Sequence, residues 1–212
     1  MEKLIHNITN GEYFNEHFVK KYGEFAVPFC EVMIDGEALR NIFSDEFISL
    51  RAKELGVSSS EYADKMSVCN ELKNDYRELK LWFGKDAFCQ INLLVLLAYL
   101  EQINYDGKIT LNIIDDETYK VIKENIAVSL GEYCRAYESV LIQKELPSSL
   151  GVIDENAVKL YFDYHDKNGK LTFLIKDNDS LDKEKLIRLL IKESKDYGLS
   201  FEQIEKLIEK NL

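Results

Sequence analysis

Four short stretches of the chain gather residue types that do chemistry. Asn10-Gly11-Glu12 ends one apolar run. Asp35-Gly36 ends a second, which carries Glu31 earlier. Gly84-Lys85-Asp86 follows Leu-Lys-Leu-Trp-Phe, and Asp115-Asp116 follows Lys-Ile-Thr-Leu-Asn-Ile-Ile. Glu12, Asp35 and Asp86 are carboxylates of the kind used for general acid–base work or for holding Mg²⁺. Asn10-Gly11 is a tight turn opening a helix, where free amides and the positive helix end suit an anion; read more simply, it is a plain turn. Asp86 and Gln90 stand four apart on one helical face. An acid in a first helical turn is favoured electrostatically whatever its function. Gln90 is the more informative of the two. The stretch after it, Ile-Asn-Leu-Leu-Val-Leu-Leu-Ala, implies a helix buried on most sides, and a buried amide must find partners in a ligand or a neighbouring loop.

The other reactive types are more scattered. His6 falls in the first apolar run, where a neutral imidazole in the core is the default, though the run ends at the same edge as Asn10. His17 sits on a polar helix surface and His165 near the tail, with no spacing for a three-ligand metal site. Cys30, Cys69, Cys89 and Cys134 lie far apart without a Cys-x-x-Cys pair, so they read as ordinary buried thiols. Trp82 could stack on a ligand ring, and in an apolar run it equally suits a core. Asp166-Lys167-Asn168-Gly169 faintly resembles a calcium loop, but aligning Gly169 to the loop glycine puts Tyr164 and Ile175 at ligand positions. A dinucleotide glycine pattern, a phosphate-binding Walker loop and a serine nucleophile elbow are all absent from the sequence.

The elements that must position these residues follow from periodicity and breakers. Residues 3–9 read as a strand, 13–22 as a helix stopped by Gly23, and 25–34 as a strand. Pro28 cannot donate to a ladder, which puts that strand at an edge. Helices are expected over 44–55 and from Ser58–Ser60 to Arg77. A buried strand follows at 79–83, a long apolar helix at 86–102 and a further strand at 108–114. That order predicts parallel strands joined by crossover helices: an α/β fold with a small, mostly parallel sheet flanked by helices. From 116 the pattern becomes mainly helical, with helices at 117–144 (broken near 129–131), 153–166, 181–196 and 200–211. Residues 146–151 read as a linker and 170–176 as a lone strand. Ser200 and Gln203 form a capping box, and Gly198 suits a helix C′ position. Two regions are thus expected, 1–115 and 116–212.

Composition narrows the function classes. The 212 residues carry 27 basic and 38 acidic side chains, a formal charge of −11, and 46% are hydrophobic. That balance is globular, and neither region is basic, so a phosphate-neutralising nucleic-acid binder is not expected. No 18-residue apolar run and no charged-then-apolar leader layout are seen, so the expected location is the cytoplasm, away from membranes.

The blocks IHNITNG (5–11), FCEVMIDGEAL (29–39) and LWFGKDAFCQINLLVLLAYL (81–100) resemble a bacterial family labelled only as domain of unknown function 1835. The likeness covers about residues 4–115 in scattered blocks, and His6, Asn10, Gly11, Trp82, Asp86 and Gln90 match residue by residue. Departures are Glu12 and Glu31 where the family has Asp, Ile34 in the place of a His, Glu37 in the place of a Pro, and Cys89 in the place of an Asp. The resemblance implies a common site at these strand ends and supplies no substrate.

In an open parallel sheet, ligands lie at the carboxyl ends of the strands, near the point where strand order reverses. Two functional readings follow. One is a small-molecule site of phosphate or nucleotide type. Asn10-Gly11 would hold the anion, and Glu12, Asp35 or Asp86 would serve in acid–base work or hold Mg²⁺. His6, Trp82 and Gln90 would position the ligand. The acid-rich edge opposes a phosphate unless a cation intervenes. The other is a non-catalytic interaction or regulatory module whose helical tail binds a partner, or a second copy, through Phe201, Ile204, Leu207 and Ile208. Whether the chain is an enzyme stays open on the sequence alone. A DNA-reading tail is disfavoured because Glu202, Glu205 and Glu209 outnumber the lysines of that helix.

Overall fold

A computed structural model describes residues 5–72 and 77–212. Its sheet has five strands in the order β2-β1-β3-β4-β5. These are β1 (Ile5–Asn10), β2 (Ala26–Phe29), β3 (Glu78–Gly84), β4 (Lys108–Ile114) and β5 (Val121–Val128). The first four run parallel and β5 pairs antiparallel with β4. The α/β class and the helical C-terminal region are as the sequence implies. Strand order reverses between β1 and β3, so their carboxyl ends flank the crevice where such sheets bind ligands. β2 lies at an edge, as Pro28 requires.

One sheet face is covered by α1 (Glu12–Tyr22), whose Phe14 and Phe18 pack with Ala26 and Ile114 against Trp82 and Tyr119. The main core lies on the other face. Ile8, Leu79, Leu81, Phe83, Ile109 and Leu111 sit there beneath α5 (Ala87–Gln102). Helix α5 is apolar all round and buried from Cys89 through Leu100, so it can only be a central helix. Beside it pack α2 (Asp45–Leu55), α3 (Ser59–Lys65) and α4 (Val68–Glu71). The helix expected from Ser58 to Arg77 is thus two short helices broken after Met66, and its residues 73–76 lie outside the described ones. So do residues 3 and 4 of the first expected strand.

Three further expectations are corrected. The strand expected over 25–34 stops at Phe29. Asn92 of α5 donates to the carbonyl of Glu31 (2.5 Å) and accepts from the N–H of Met33 (3.1 Å), drawing residues 30–36 away from the sheet. That loop is fixed by Arg51, which is fully buried. Its Nε and Nη2 donate to Glu31 Oε1 (3.1 and 2.9 Å) and its Nη1 to the Asp35 carbonyl (2.9 Å), while the Tyr62 hydroxyl donates to the other Glu31 oxygen.

The helix expected over 117–144 begins instead as β5. Asp115 accepts from the N–H and hydroxyl of Thr118 and closes a turn onto Lys120, and the β-branched residues Val121, Ile126 and Val128 then pair with β4. Helix α6 (Tyr133–Tyr137) follows and continues as a π-helical turn to Gln143. Residues 170–176, expected as a strand, are inside helix α8 (Lys170–Asp177). Leu171 and Ile175, four apart, are buried, and Phe173 between them is 61% exposed, so the pattern that counts has the helical period.

Helix α7 (Glu155–His165) lends Ala157, Val158 and Tyr161 to the main core. Helices α8, α9 (Lys183–Glu193) and α10 (Phe201–Asn211) share a second core of their own, built on Leu171, Ile175, Leu186, Leu190, Tyr197 and Ile204. The Ser200–Gln203 capping box forms as expected. No helix among the described residues is long and apolar enough to cross a membrane.

Candidate functional site

Two groups of side chains meet at the carboxyl edge of β1, β3 and β4. The first is a buried cluster under the start of α5. Asp86 caps that helix, its Oδ1 accepting the N–H of Cys89 at 2.7 Å. Asp116, just beyond β4, accepts the backbone N–H of Lys85 at 3.2 Å and faces the Cys89 thiol at 3.4 Å. Asn10, at the end of β1, donates to the same sulfur (2.9 Å) and accepts from Asn92 (3.1 Å). Gly84 makes room for this packing, because a side chain there would fall inside the Asp116 carboxylate.

Burial pushes Asp86 up to about 7, and the neighbouring charge of Asp116 adds to the shift. Asp116 is raised as well, burial being the main cause. Burial and the nearness of the second carboxylate both disfavour the doubly ionised pair. Cys89 lies well above the usual thiol range, through burial first and then the charges of Asp86 and Asp116. It is therefore a neutral thiol, not a nucleophile. Asp86, Cys89 and Asp116 place one potential ligand atom each within 4.8 Å of one another, the one such group of three among the described residues. Its sulfur sits poorly with Mg²⁺, which prefers oxygen. What the cluster can do chemically is give or take one proton near neutrality.

The second group lines a cavity of about 430 Å³ beside this cluster. Lys85 and Lys123 face it from the β3–α5 loop and from β5. Ile113, Ile122, Ile126 and Val152 form its apolar wall, and Gln90 and Asp154 its floor. Neither lysine is engaged in an ion pair among the described residues. Gln90 is bonded at both ends: its Nε2 donates to the Gly84 carbonyl (2.6 Å) and its Oε1 accepts the N–H of Asp154 (3.0 Å). The neighbouring loop is thus the partner that a buried amide requires, and the amide shapes the cavity floor.

The residues singled out from sequence are divided by the fold. Asn10, Asp86 and Gln90 come together at the β1/β3 crevice. Gly11 lies beside them, but its N–H donates to the Phe29 carbonyl at 3.0 Å and is taken. Glu12 is exposed at the first turn of α1. His6 is buried near the opposite end of β1, level with Leu79 at the start of β3. Trp82 points to the α1 face, where its Nε1 donates to Asn7 (3.1 Å) and its ring meets Phe18 and Tyr22. Asp35 lies on the flank of the crevice, accepting from Tyr164 (2.8 Å) and from Gln203 of α10 (2.5 Å). Gly198, in the turn before α10, stands over the cluster; a methyl added there would lie 2.5 Å from the Asp86 carboxyl carbon.

Lys123 is absent from the sequence-based set because its segment reads there as helix. The signal that could have found it is the β-branched content of Val-Ile-Lys-Glu-Asn-Ile-Ala-Val. Cys89 joins the site through the first turn of α5, and Asp116 through the turn after β4, which brings it beneath the β3–α5 loop. No protein-family model, curated protein or solved structure matches the chain.

Proposed function

We propose that this chain binds a small anionic molecule with an apolar body in the cavity at the carboxyl edge of β3, β4 and β5. The observation that carries the reading is the pairing of two lysines that make no direct ion pair among the described residues with a wall of branched aliphatic side chains, in a volume suited to a metabolite, although Asp154 lines the same cavity and Lys85 acts on Asp115. The two lysines bear on the electrostatic objection raised by the acid-rich edge. Asp86 and Asp116 lie in the adjoining cluster, where burial raises both and so favours their neutral forms, and the cavity itself sets Lys85 and Lys123 against the one carboxylate of Asp154. The blocks that resemble the family of unknown function flank the same edge. Asp86 and Asp116 are the groups available for proton transfer to a ligand held there.

The alternative, a tail offering its apolar face to a partner, draws less support. Ile204, Leu207 and Ile208 are buried in the chain's own second core, and Phe201 alone of that set is exposed.

The test is thermal unfolding against a panel of phosphate monoesters, nucleotides and aliphatic or aromatic carboxylates, with and without Mg²⁺. A ligand at a hundred times its dissociation constant stabilises by about 2.7 kcal/mol, a rise of roughly 5–10 °C for a chain of this size. Lys85→Glu with Lys123→Glu should abolish that rise. A panel without any responding anion, or a response that survives the double substitution, overturns the reading.

A further inference from the structure

We infer that helices α8–α10 form a lid that rocks on α7 and, when closed, seals the Asp86–Cys89–Asp116 cluster at the β1/β3 crevice. The place it covers is where an open α/β sheet ordinarily receives its ligand, so the closed form is self-occluded there.

Three observations support a moving unit. The first is that α8–α10 have a core separate from the main one, and therefore hold their own shape if lifted. The unit joins α7 through the tight turn Asp166–Gly169, and Leu160 and Tyr164 of that helix pack against both cores, as does Leu199 of the unit itself.

The second is that, apart from Leu199 and the seat on α7, its named contacts with the rest of the body are polar and few. Gln203 donates to Asp35 (2.5 Å), Lys195 pairs with Glu117 (2.5 Å), and the Gly198 turn rests on Asp86. Both partners of the Lys195–Glu117 pair are more than 60% exposed, and such a pair contributes little.

The third is that the seam is not close-packed. A cavity of about 360 Å³ lies in it, between Asp35 and Glu37 on one side and His165, Lys206 and Lys210 on the other. This groove is open to solvent and lined largely by polar and charged side chains, so the two cores are not fused along this part of the seam.

Cys89 reports the motion. The test is alkylation of the full-length chain by iodoacetamide, followed cysteine by cysteine by peptide mass, with each rate divided by that of the same cysteine in the denatured chain. Cys69, buried in the main core, is the internal reference for unfolding of the body. The expected result is a higher normalised rate at Cys89 than at Cys69. Gly198→Ala puts a side chain on a residue at φ +72° and against Asp86. It should raise the Cys89 rate about tenfold and leave Cys69 unchanged. Gln203→Ala releases the lid at Asp35 without touching Asp86, and it decides the matter if Gly198→Ala does not fold. Equal normalised rates at Cys89 and Cys69, equal acceleration of both, or a Cys89 rate that neither variant moves overturns the lid. Ligand binding at the lysine cavity is measured separately, so failure of either proposal leaves the other standing.

Discussion

Gln90 and Asp154 are joined by one hydrogen bond, from the backbone N–H of Asp154 to Oε1 of Gln90 at 3.0 Å, across 64 residues of chain. The same amide group holds the Gly84 carbonyl. One side chain thus fastens the β3–α5 loop to the cap of α7 and fixes the floor of the lysine cavity.

Gln90→Leu keeps the volume and removes both bonds. It strands the buried Gly84 carbonyl and frees the part-buried Asp154 N–H, and a buried group left unpaired costs about 1–3 kcal/mol. Urea unfolding should show a loss of about 2–5 kcal/mol. A loss below 0.5 kcal/mol would mean that the amide does not bridge these segments.

The Asp86–Asp116 pair predicts a pH dependence with a definite sign. The folded chain keeps a proton on Asp86 up to about pH 7, whereas the unfolded chain releases it near 3.8. Between those values the folded state binds more protons, so the pair's contribution to stability falls as pH rises, and above 7 it is level. Asp86→Asn still caps α5 and has nothing to titrate. The stability of the variant relative to wild type should therefore grow by on the order of a few kcal/mol between pH 4.5 and 8. A difference that is flat with pH would show the two carboxylates to be independent and solvated.

Removing one partner of the buried Arg51–Glu31 pair leaves the other charge unpaired. Arg51→Ala should cost about 3–5 kcal/mol in chemical unfolding. The loop from Glu31 to Gly36 should lose protection from hydrogen exchange at the same time, since Arg51 also holds the carbonyls of Val32 and Asp35. Wild-type protection in that loop would contradict the assignment of Arg51 as its anchor.

Helix and strand readings of residues 170–176 separate cleanly by mutation. In a helix Phe173 faces water and Ile175 faces the second core. Phe173→Ser should change stability by less than about 0.5 kcal/mol, while Ile175→Ala should cost about 2–4 kcal/mol. Similar losses at both positions would favour the alternating pattern instead.

Much of the fold was legible in the chain because its strongest signals are local. Helix α5 is apolar all round, Pro28 forbids a central strand, and Ser200 and Gln203 cap each other within one turn. The errors arose where distant partners decide. Residues 170–176 satisfy a period of two and a period of four equally well, and only the second core selects the helix. Residues 121–128 carry enough Lys, Glu and Asn to read as helix until β4 supplies a ladder. The same limit applies to the candidate site. Asn10, Asp86, Gln90 and Asp116 could be placed at one edge from the expected run of parallel strands, without the strand order. Lys123 reaches it through the turn between β4 and β5, whose course the sequence does not announce.

The antiparallel fifth strand has one more consequence, for how this chain behaves among its own copies. An open sheet exposes two rows of unpaired backbone groups, and each is a template for adding a neighbour's strand. One border is only four residues long and includes Pro28, which has no N–H to offer. The other, β5, is bent by a register shift and by Asn125 at φ +56°, and it carries Lys123 and Glu124 on exposed positions. Both borders are thereby made poor templates for a neighbour's strand.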